Sequence, residues 1–277
     1  MKFLQTLLRC VGFICTLFFI CPSHAHELWD VLTKEQLVPG VLIHLPSARD
    51  NAEIPVYLRA TPSATATLVL LPGGAGGIGK VNDIGWPDGN NFLIRSGPLF
   101  AAHGFNLVMM SRPSDMSDMD YPFRISAPAM DDLRSVLIKT KATFPGSVWL
   151  VGTSRGTVSG TAAAIALREQ GLIDGLVLTS SITTKAIGAV PTQVLSEIKI
   201  PVMVLHHESD ACNLCVPSGA SLIDKGLINS PKHKLVMFTG GANPKGDSCA
   251  ALHYHGFIGA EAQAVAAVAQ WIKSPVN

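Results

Sequence analysis

Residues 147–169 read SVWLVG-TSRG-TVSGTAAAIALRE, and this stretch decides the fold. Ser147 to Gly152 is a short apolar run rich in β-formers, as expected of a buried strand. Thr157 to Glu169 is a small-residue, alanine-rich run with helical propensity. Between them lies Gly152-Thr153-Ser154-Arg155-Gly156, a G-x-S-x-G pattern. A bare match of this kind also describes an ordinary glycine-rich turn with a capping serine. The context is more specific, because a sharp strand-to-helix turn pushes the serine hydroxyl out of the backbone. Glycines at 152 and 156 leave room for strand and helix to approach closely. The helix N-terminus offers N–H groups where negative charge would develop on a reacting oxygen. Ser154 is therefore read as a nucleophile.

Working outward, similar apolar runs recur on both sides. Gly40–Pro46 and Ile54–Ala60 read as two early strands joined by a turn at Asp50-Asn51, and so as a hairpin. Thr67–Pro72, Phe105–Met110, Gly175–Ser180, Val202–His207 and Lys234–Thr239 complete a set of eight strands with Ser147–Gly152. Their continuous hydrophobicity marks strands covered on both faces, as in a parallel sheet. Helical runs alternate with them at Asn91–Ala102, Met130–Thr143, Thr157–Glu169, Ser218–Lys225 and Ala260–Lys273. This alternation predicts an α/β fold with a mostly parallel eight-stranded sheet and helices on both faces. No repeat or linker divides the chain. Residues 73–90 and 112–128 read as long loops, which in a compact domain tend to belong to a site.

The chain has 277 residues, 21 Lys plus Arg, 20 Asp plus Glu, and 48% apolar residues. Charged residues make up only 15%, and that composition excludes a disordered, collagenous or coiled-coil chain. The first 25 residues carry Lys2 and Arg9, an apolar run from Cys10 to Cys21, and small residues at Ser23 and Ala25. This pattern predicts a secretory signal peptide cleaved after Ala25, with an uncleaved N-terminal anchor as the competing reading. Residues 26–277 then form a single domain with a minimal cap. Losing Lys2 and Arg9 leaves 19 basic against 20 acidic residues, a net charge of −1. No basic patch points to nucleic acid, and no later run is long enough for a stable membrane anchor. A periplasmic or secreted product is expected. Three cysteines remain, Cys212, Cys215 and Cys249, an odd number for an oxidising compartment. One disulfide and one free thiol accounts for them most simply. Zinc would need a fourth ligand such as His253 or His206, and paired C-x-x-C spacing is absent.

On the G-x-S-x-G elbow and the strand order around it, the chain resembles the α/β-hydrolase superfamily over residues 40–273, in particular exported serine hydrolases of esterase-like or dienelactone-hydrolase-like type. The resemblance implies a nucleophile after the fifth strand, an acid after the seventh and a histidine after the eighth. The seventh strand is followed by His207-Glu208-Ser209-Asp210. Asp210 matches the family acid, with Glu208 as competitor. The eighth is followed by a loop containing His253-Tyr254-His255-Gly256-Phe257. His255, followed by glycine and an aromatic residue, matches the family base, with His253 as competitor. His206 and His207 precede the acid and read as packing or hydrogen-bonding residues, not as the base. Bringing the acid and histidine loops together would let Cys249 pair with Cys212 or Cys215 and staple them, whereas a local Cys212–Cys215 bridge is the alternative.

Leu71-Pro72-Gly73-Gly74-Ala75-Gly76-Gly77 corresponds to the loop that supplies one oxyanion N–H in the superfamily, from Gly74 or Ala75. Arg155, after the nucleophile, supplies the second. A phosphate-binding loop fits less well, since Gly79-Lys80 is followed by Val81 rather than a hydroxyl residue. The Arg155 side chain is expected to brace loops, for example against Asp115, or to meet a substrate carboxylate. Expected pocket walls are Trp86, Met110, Tyr121, Phe123 and Ile182, with Phe92, Met116, Met119 and Ile187 nearby. Residues 181–199, between the sixth and seventh strands, are too short for a large lid. The implied activity is hydrolysis of a carboxylic ester through an acyl-enzyme, with a small-molecule acyl substrate and no cofactor. A peptidase or amidase on the same residues is the alternative, and a non-catalytic binding protein on this fold is a third reading. Oligomeric state is not legible.

Overall fold

The computed structural model describes residues 38–184 and 186–276; the expected leader, residues 1–25, lies outside them. Val41–Pro46 (β1) and Glu53–Arg59 (β2) form the expected hairpin, with Val41 opposite Leu58 and Pro46 opposite Glu53. Ala66–Leu71 (β3), Phe105–Met110 (β4), Val148–Thr153 (β5), Gly175–Thr179 (β6), Val202–His207 (β7) and His233–Phe238 (β8) complete one sheet. The order is β1-β2-β4-β3-β5-β6-β7-β8, and β2 alone of these strands runs against its neighbours. All residues of β3, β4, β5, β6 and β7 are buried, which is what their unbroken apolar runs predict.

Helices cover both faces. On one lie Phe92–Arg95 (α1), Gly97–Ala102 (α2) and Glu261–Lys273 (α7), which turns Val265, Val268 and Trp271 inward onto Trp149 and its neighbours. On the other lie Ala127–Thr143 (α4), Arg155–Ala166 (α5) and Ala220–Gly226 (α6), packed on Val69, Leu150, Leu176 and Val204. A short helix, Tyr121–Arg124 (α3), precedes α4. The run expected as one helix over Asn91–Ala102 is broken at Ser96, because Pro98 has no N–H to continue α1 and instead starts α2.

The topology selects the site. From β3 the chain moves outward to β4, then returns across β3 to β5 and continues the other way. The loops after β3 and β5 therefore diverge and leave a crevice at the carboxyl ends of two adjacent strands, where ligands bind in open α/β sheets. Those loops are Pro72–Gly77 and the turn at Ser154.

Candidate active site

Ser154 sits between β5 and α5 with φ 52° and ψ −126°. An L-residue with a side chain avoids this region, so the turn is held by its surroundings. The Ser154 N–H donates to Thr179 O at 3.1 Å, and its carbonyl accepts from the Thr157 N–H and hydroxyl at 2.9 and 2.6 Å. The glycines do what the motif requires. A Cβ on Gly156 would lie 2.0 Å from Leu71 O, and one on Gly152 would lie 2.6 Å from Gly156 O. Close packing of α5 on β3 and β5 therefore excludes any side chain at either position.

The loop after β3 reaches Ser154. A Cβ on Gly73 would stand 2.7 Å from Ser154 Cβ. The carbonyls of Gly73 to Gly76 are engaged: Gly76 N–H donates to Gly73 O, Met119 N–H to Ala75 O, Arg112 N–H to Gly76 O, and Arg124 Nη2 to Gly74 O at 2.9 Å. The N–H groups of Gly74 and Ala75 meet no acceptor among the described residues. Arg155 opens α5, so its N–H belongs to the first turn, which has no intrahelical acceptor.

Asp210 and His255 meet. His255 Nδ1 lies 2.9 Å from Asp210 Oδ2, and both side chains are almost wholly buried. The Cys212 N–H donates to Asp210 Oδ1 at 2.9 Å. Burial by itself would raise the Asp210 pKa, but the His206 N–H nearby, the hydrogen bond from His255, the His255 charge and the Cys212 N–H outweigh it and hold the carboxyl at about 2. The histidine turn is fixed from behind. Ser180 Oγ donates to His255 O at 2.7 Å, and Arg95, itself paired with the buried Glu261 at 2.9 Å, donates to Gly256 O. A Cβ on Gly256 would strike Ala251 O at 1.9 Å, so the glycine after the histidine is sterically required. The competing residues are placed otherwise. Glu208 is exposed, and the His253 ring packs edge-on to Tyr254 with its Nδ1 buried and unpartnered.

Cys212 and Cys249 form the disulfide, which ties the acid loop to the histidine loop and leaves Cys215 free and buried. Of the two pairings open in the sequence for Cys249, this is the one formed. The Cys215 thiol lies within hydrogen-bonding reach of Ser154, while burial and the Asp210 charge push its pKa far up and keep it a thiol. Donor atoms of Cys212, Cys215 and His255 lie within 4.8 Å of one another. Cys212 Sγ is bonded to Cys249, so only two of these three remain as metal donors. No hydrogen bond joins Ser154 to His255 among the described residues, and Cys215 flanks both.

The Arg155 guanidinium holds both oxygens of Asp118 at 3.0 and 3.1 Å and lies 4.9 Å from the Tyr121 ring centroid. It therefore braces loops as expected, but on Asp118. Asp115, the expected partner, pairs with Arg49 at 2.6 Å instead. Asp118 is delivered to α5 because its neighbour Met119 is bonded to Ala75.

The expected pocket walls divide. Tyr121 and Ile182 cluster with Val158, Cys212 and Cys215, the last of which lies by Ser154. Met110 lines a small cavity under the glycine loop with Leu71, Met119, Met130 and Leu133. Trp86 is not a wall: it has no exposed surface and packs on Tyr57 in the α1/α2-side core, where Gly97 leaves room for its ring. Nor is Phe123, which lies under the Arg49 guanidinium and against the α4-side core. Both lost their place to an equally apolar alternative, core burial, which sequence reading does not separate from a pocket.

Two contributors, Cys215 and Arg124, escaped the sequence reading, and His206 is a hydrogen-bonding residue, one of the two roles open to it. His206 Nε2 donates to Cys215 O at 2.8 Å and stands 3.5 Å from Asp210 Oδ2. Cys215 touches Ser154, and Arg124 holds the glycine loop. His206 carried one available signal, its position four residues before the acid.

No protein-family model and no curated protein sequence matches the chain. Solved structures do. A soluble variant of the Saccharomyces cerevisiae monoglyceride lipase, bound to a substrate analogue, superposes with a TM-score of 0.63 at 10% identity, over 88% of this chain and 98% of that one. An α/β serine hydrolase without a lid from Xanthomonas campestris gives 0.56 at 16%, over 83% and 95%. A Pyrococcus furiosus esterase gives 0.60 at 12%, over 87% and 93%. The fold is that of the α/β-hydrolases. In the α/β-hydrolase order, β5, β7 and β8 precede the elbow, the acid loop and the histidine loop, as they do here. At these identities the likeness concerns the architecture alone. Among the described residues of 181–199, between β6 and β7, the regular structure is two short 3-10 turns, at Val190–Thr192 and Leu195–Glu197.

Proposed function

We propose that this chain is a serine hydrolase that cleaves a carboxylic ester of a small molecule through an acyl-enzyme. The observation that carries the reading is Ser154 held at positive φ on the β5–α5 turn, with Cys215 flanking both it and a buried histidine–carboxylate pair among the described residues. In this reading Ser154 Oγ attacks the ester carbonyl carbon, and His255 Nε2 takes its proton. The resulting alkoxide oxygen is held by the Arg155 N–H and by one N–H from Gly74 or Ala75. His255 returns the proton to the leaving alcohol. Water then attacks the acyl-enzyme with His255 as base, releasing the acid and restoring Ser154. Asp210 keeps the Nδ1 proton in place, so that Nε2 is the free acceptor, and stabilises the imidazolium. Ser154 begins next to the Cys215 thiol and turns toward His255 as substrate enters; such hydrogen bonds commonly tighten only in the complex.

The short β6–β7 connection supports an uncovered site and an accessible acyl group. Export with removal of residues 1–25 is part of the same proposal, and the Cys212–Cys249 disulfide supports an oxidising compartment. The test is covalent labelling of purified residues 26–277 by a fluorophosphonate, alongside hydrolysis of a panel of acyl esters, thioesters and amides. Labelling of wild type that is absent in Ser154→Ala, with ester turnover, is the expected result. A folded wild type that neither labels nor turns over any ester would refute the proposal, and turnover confined to amides would move it to amidase chemistry.

A further inference from the structure

We propose that Arg124 is a positioning residue that builds one half of the oxyanion hole, by turning the Gly74–Ala75 peptide so that the Ala75 N–H faces the reacting oxygen. The inference rests on the serine-hydrolase reading and goes on to assign which of the two loop N–H groups is used and what aims it.

Arg124 closes α3 and is buried. Its planar fork is spent on three acceptors from three parts of the chain. Nε donates to Met119 O at 2.9 Å, Nη1 to Ser159 Oγ at 3.2 Å, and Nη2 to Gly74 O at 2.9 Å. None of these is a carboxylate, so the desolvated cation is held by neutral dipoles; Asp118 and Asp120 act on it only through space. Burying a guanidinium this way is costly, and an apolar side chain could have filled the same space. What the arginine adds is geometry. It links the glycine loop to Ser159, which lies on the helix that starts at the nucleophile.

The direction of the Ala75 N–H follows from the peptide plane. In a trans peptide the C=O of one residue and the N–H of the next point in opposite directions. There are no cis peptides in the described chain. With Gly74 O drawn toward Arg124, the Ala75 N–H points to the opposite side of the loop and meets no acceptor there among the described residues. The Gly74 φ of +54° allows this peptide to turn, and a Cβ on Gly74 would meet nothing within 4 Å, so the glycine serves the backbone angle. Gly76 serves the approach: a Cβ there would stand 2.8 Å from Met119 Sδ and 3.3 Å from Arg124 Nη2. Sequence reading could not separate Gly74 from Ala75 because both are small residues of one loop; the Gly74 carbonyl held by Arg124 fixes the direction of the second N–H, that of Ala75.

The test compares Arg124→Lys and Arg124→Ala with wild type in purified residues 26–277, using an ester that wild type turns over. Lysine keeps the charge but cannot span three acceptors with a planar fork. Removing an oxyanion donor costs about 100- to 1,000-fold in kcat, so misaiming one is expected to cost about 10- to 100-fold. KM should stay within about twofold, because the loss falls on the transition state. Guanidinium chloride at sub-denaturing concentration should restore part of kcat in Arg124→Ala and leave wild type unchanged, a response that a purely structural role would not give. Should Arg124→Ala fail to fold, Arg124→Lys decides. Folded variants with wild-type kcat, or with losses confined to KM, would overturn the assignment of Arg124. A wild type inert to fluorophosphonate and to every ester would instead overturn the hydrolase reading, and this inference with it.

Discussion

Replacing Asp210 by asparagine exchanges one carboxylate oxygen for an NH2 and reverses a hydrogen bond. The retained oxygen can still accept from the Cys212 N–H at the position of Oδ1. The new amide NH2 then occupies the position of Oδ2, 2.9 Å from His255 Nδ1 and 3.5 Å from His206 Nε2. His206 cannot adapt, since its Nε2 proton is committed to Cys215 O. His255 can meet the amide only by moving its own proton to Nε2, and Nε2 is the atom that must accept from Ser154. A wrong tautomer of this kind costs about 10⁴ in kcat in the serine-protease template, or about 5 kcal/mol of barrier. We expect a fall of about 10³–10⁴ in Asp210→Asn, measured as kcat on an ester at neutral pH. The same change has a stability signature. The Asp210 carboxyl titrates at about 2 against an ordinary 3.8, so the ionised group contributes about 2 kcal/mol to folding. A depressed carboxylate delivers that contribution fully above its unfolded pKa and loses it as pH falls through the folded one. Wild type should therefore lose stability between about pH 4 and pH 2 by a component that Asp210→Asn lacks, visible as converging thermal midpoints in acid. A kcat within about tenfold of wild type would refute the role given to Asp210.

Two further outcomes follow from the loops around it. His255→Ala should lose at least about 10³ in kcat, whereas His253→Ala, whose ring packs on Tyr254 and does not reach Asp210, should stay within a few-fold; equal losses in steady-state assays would count against His255 as the base. Cys249→Ser opens a loop closed across a sequence separation of 37, which chain entropy values at about 4 kcal/mol. Urea unfolding should register a loss of that order together with a reduced kcat, because the histidine loop is no longer tied to the acid loop. An unchanged midpoint would show that the disulfide adds nothing to stability.

Much of this site is written locally. The elbow at Ser154 was legible because strand, turn and helix are neighbours in sequence, and two glycines are demanded by contacts within that turn or with the adjoining strand. The strands were legible because burial on both faces leaves no room for polar alternation. His255 and Asp210 could be ranked above His253 and Glu208 only through the resemblance to the α/β-hydrolases, whose acid and histidine follow the seventh and eighth strands. The sulfur partner of Cys249 could not be chosen, because Cys212 and Cys215 are three residues apart and only the path of the acid loop decides which one turns outward to it.

What lies beyond the local pattern depends on long-range packing. Trp86 and Phe123 have the chemistry of pocket walls, yet one is swallowed by the core around Tyr57 and the other turns under Arg49. Asp118 rather than Asp115 meets Arg155 because a backbone bond from Met119 to Ala75 sets that loop's register. Arg124 carries no signal of its own in a chain with many arginines; its meaning comes from standing against Gly74, 50 residues away, and against Ser159 on the nucleophile helix. Periodicity and turn chemistry act within about ten residues, so by themselves they determined the sheet and the elbow, while the candidate acid and base came from the resemblance to the α/β-hydrolases. Which side chains share a surface is decided by how the sheet's layers close on one another, and only the tertiary structure carries that.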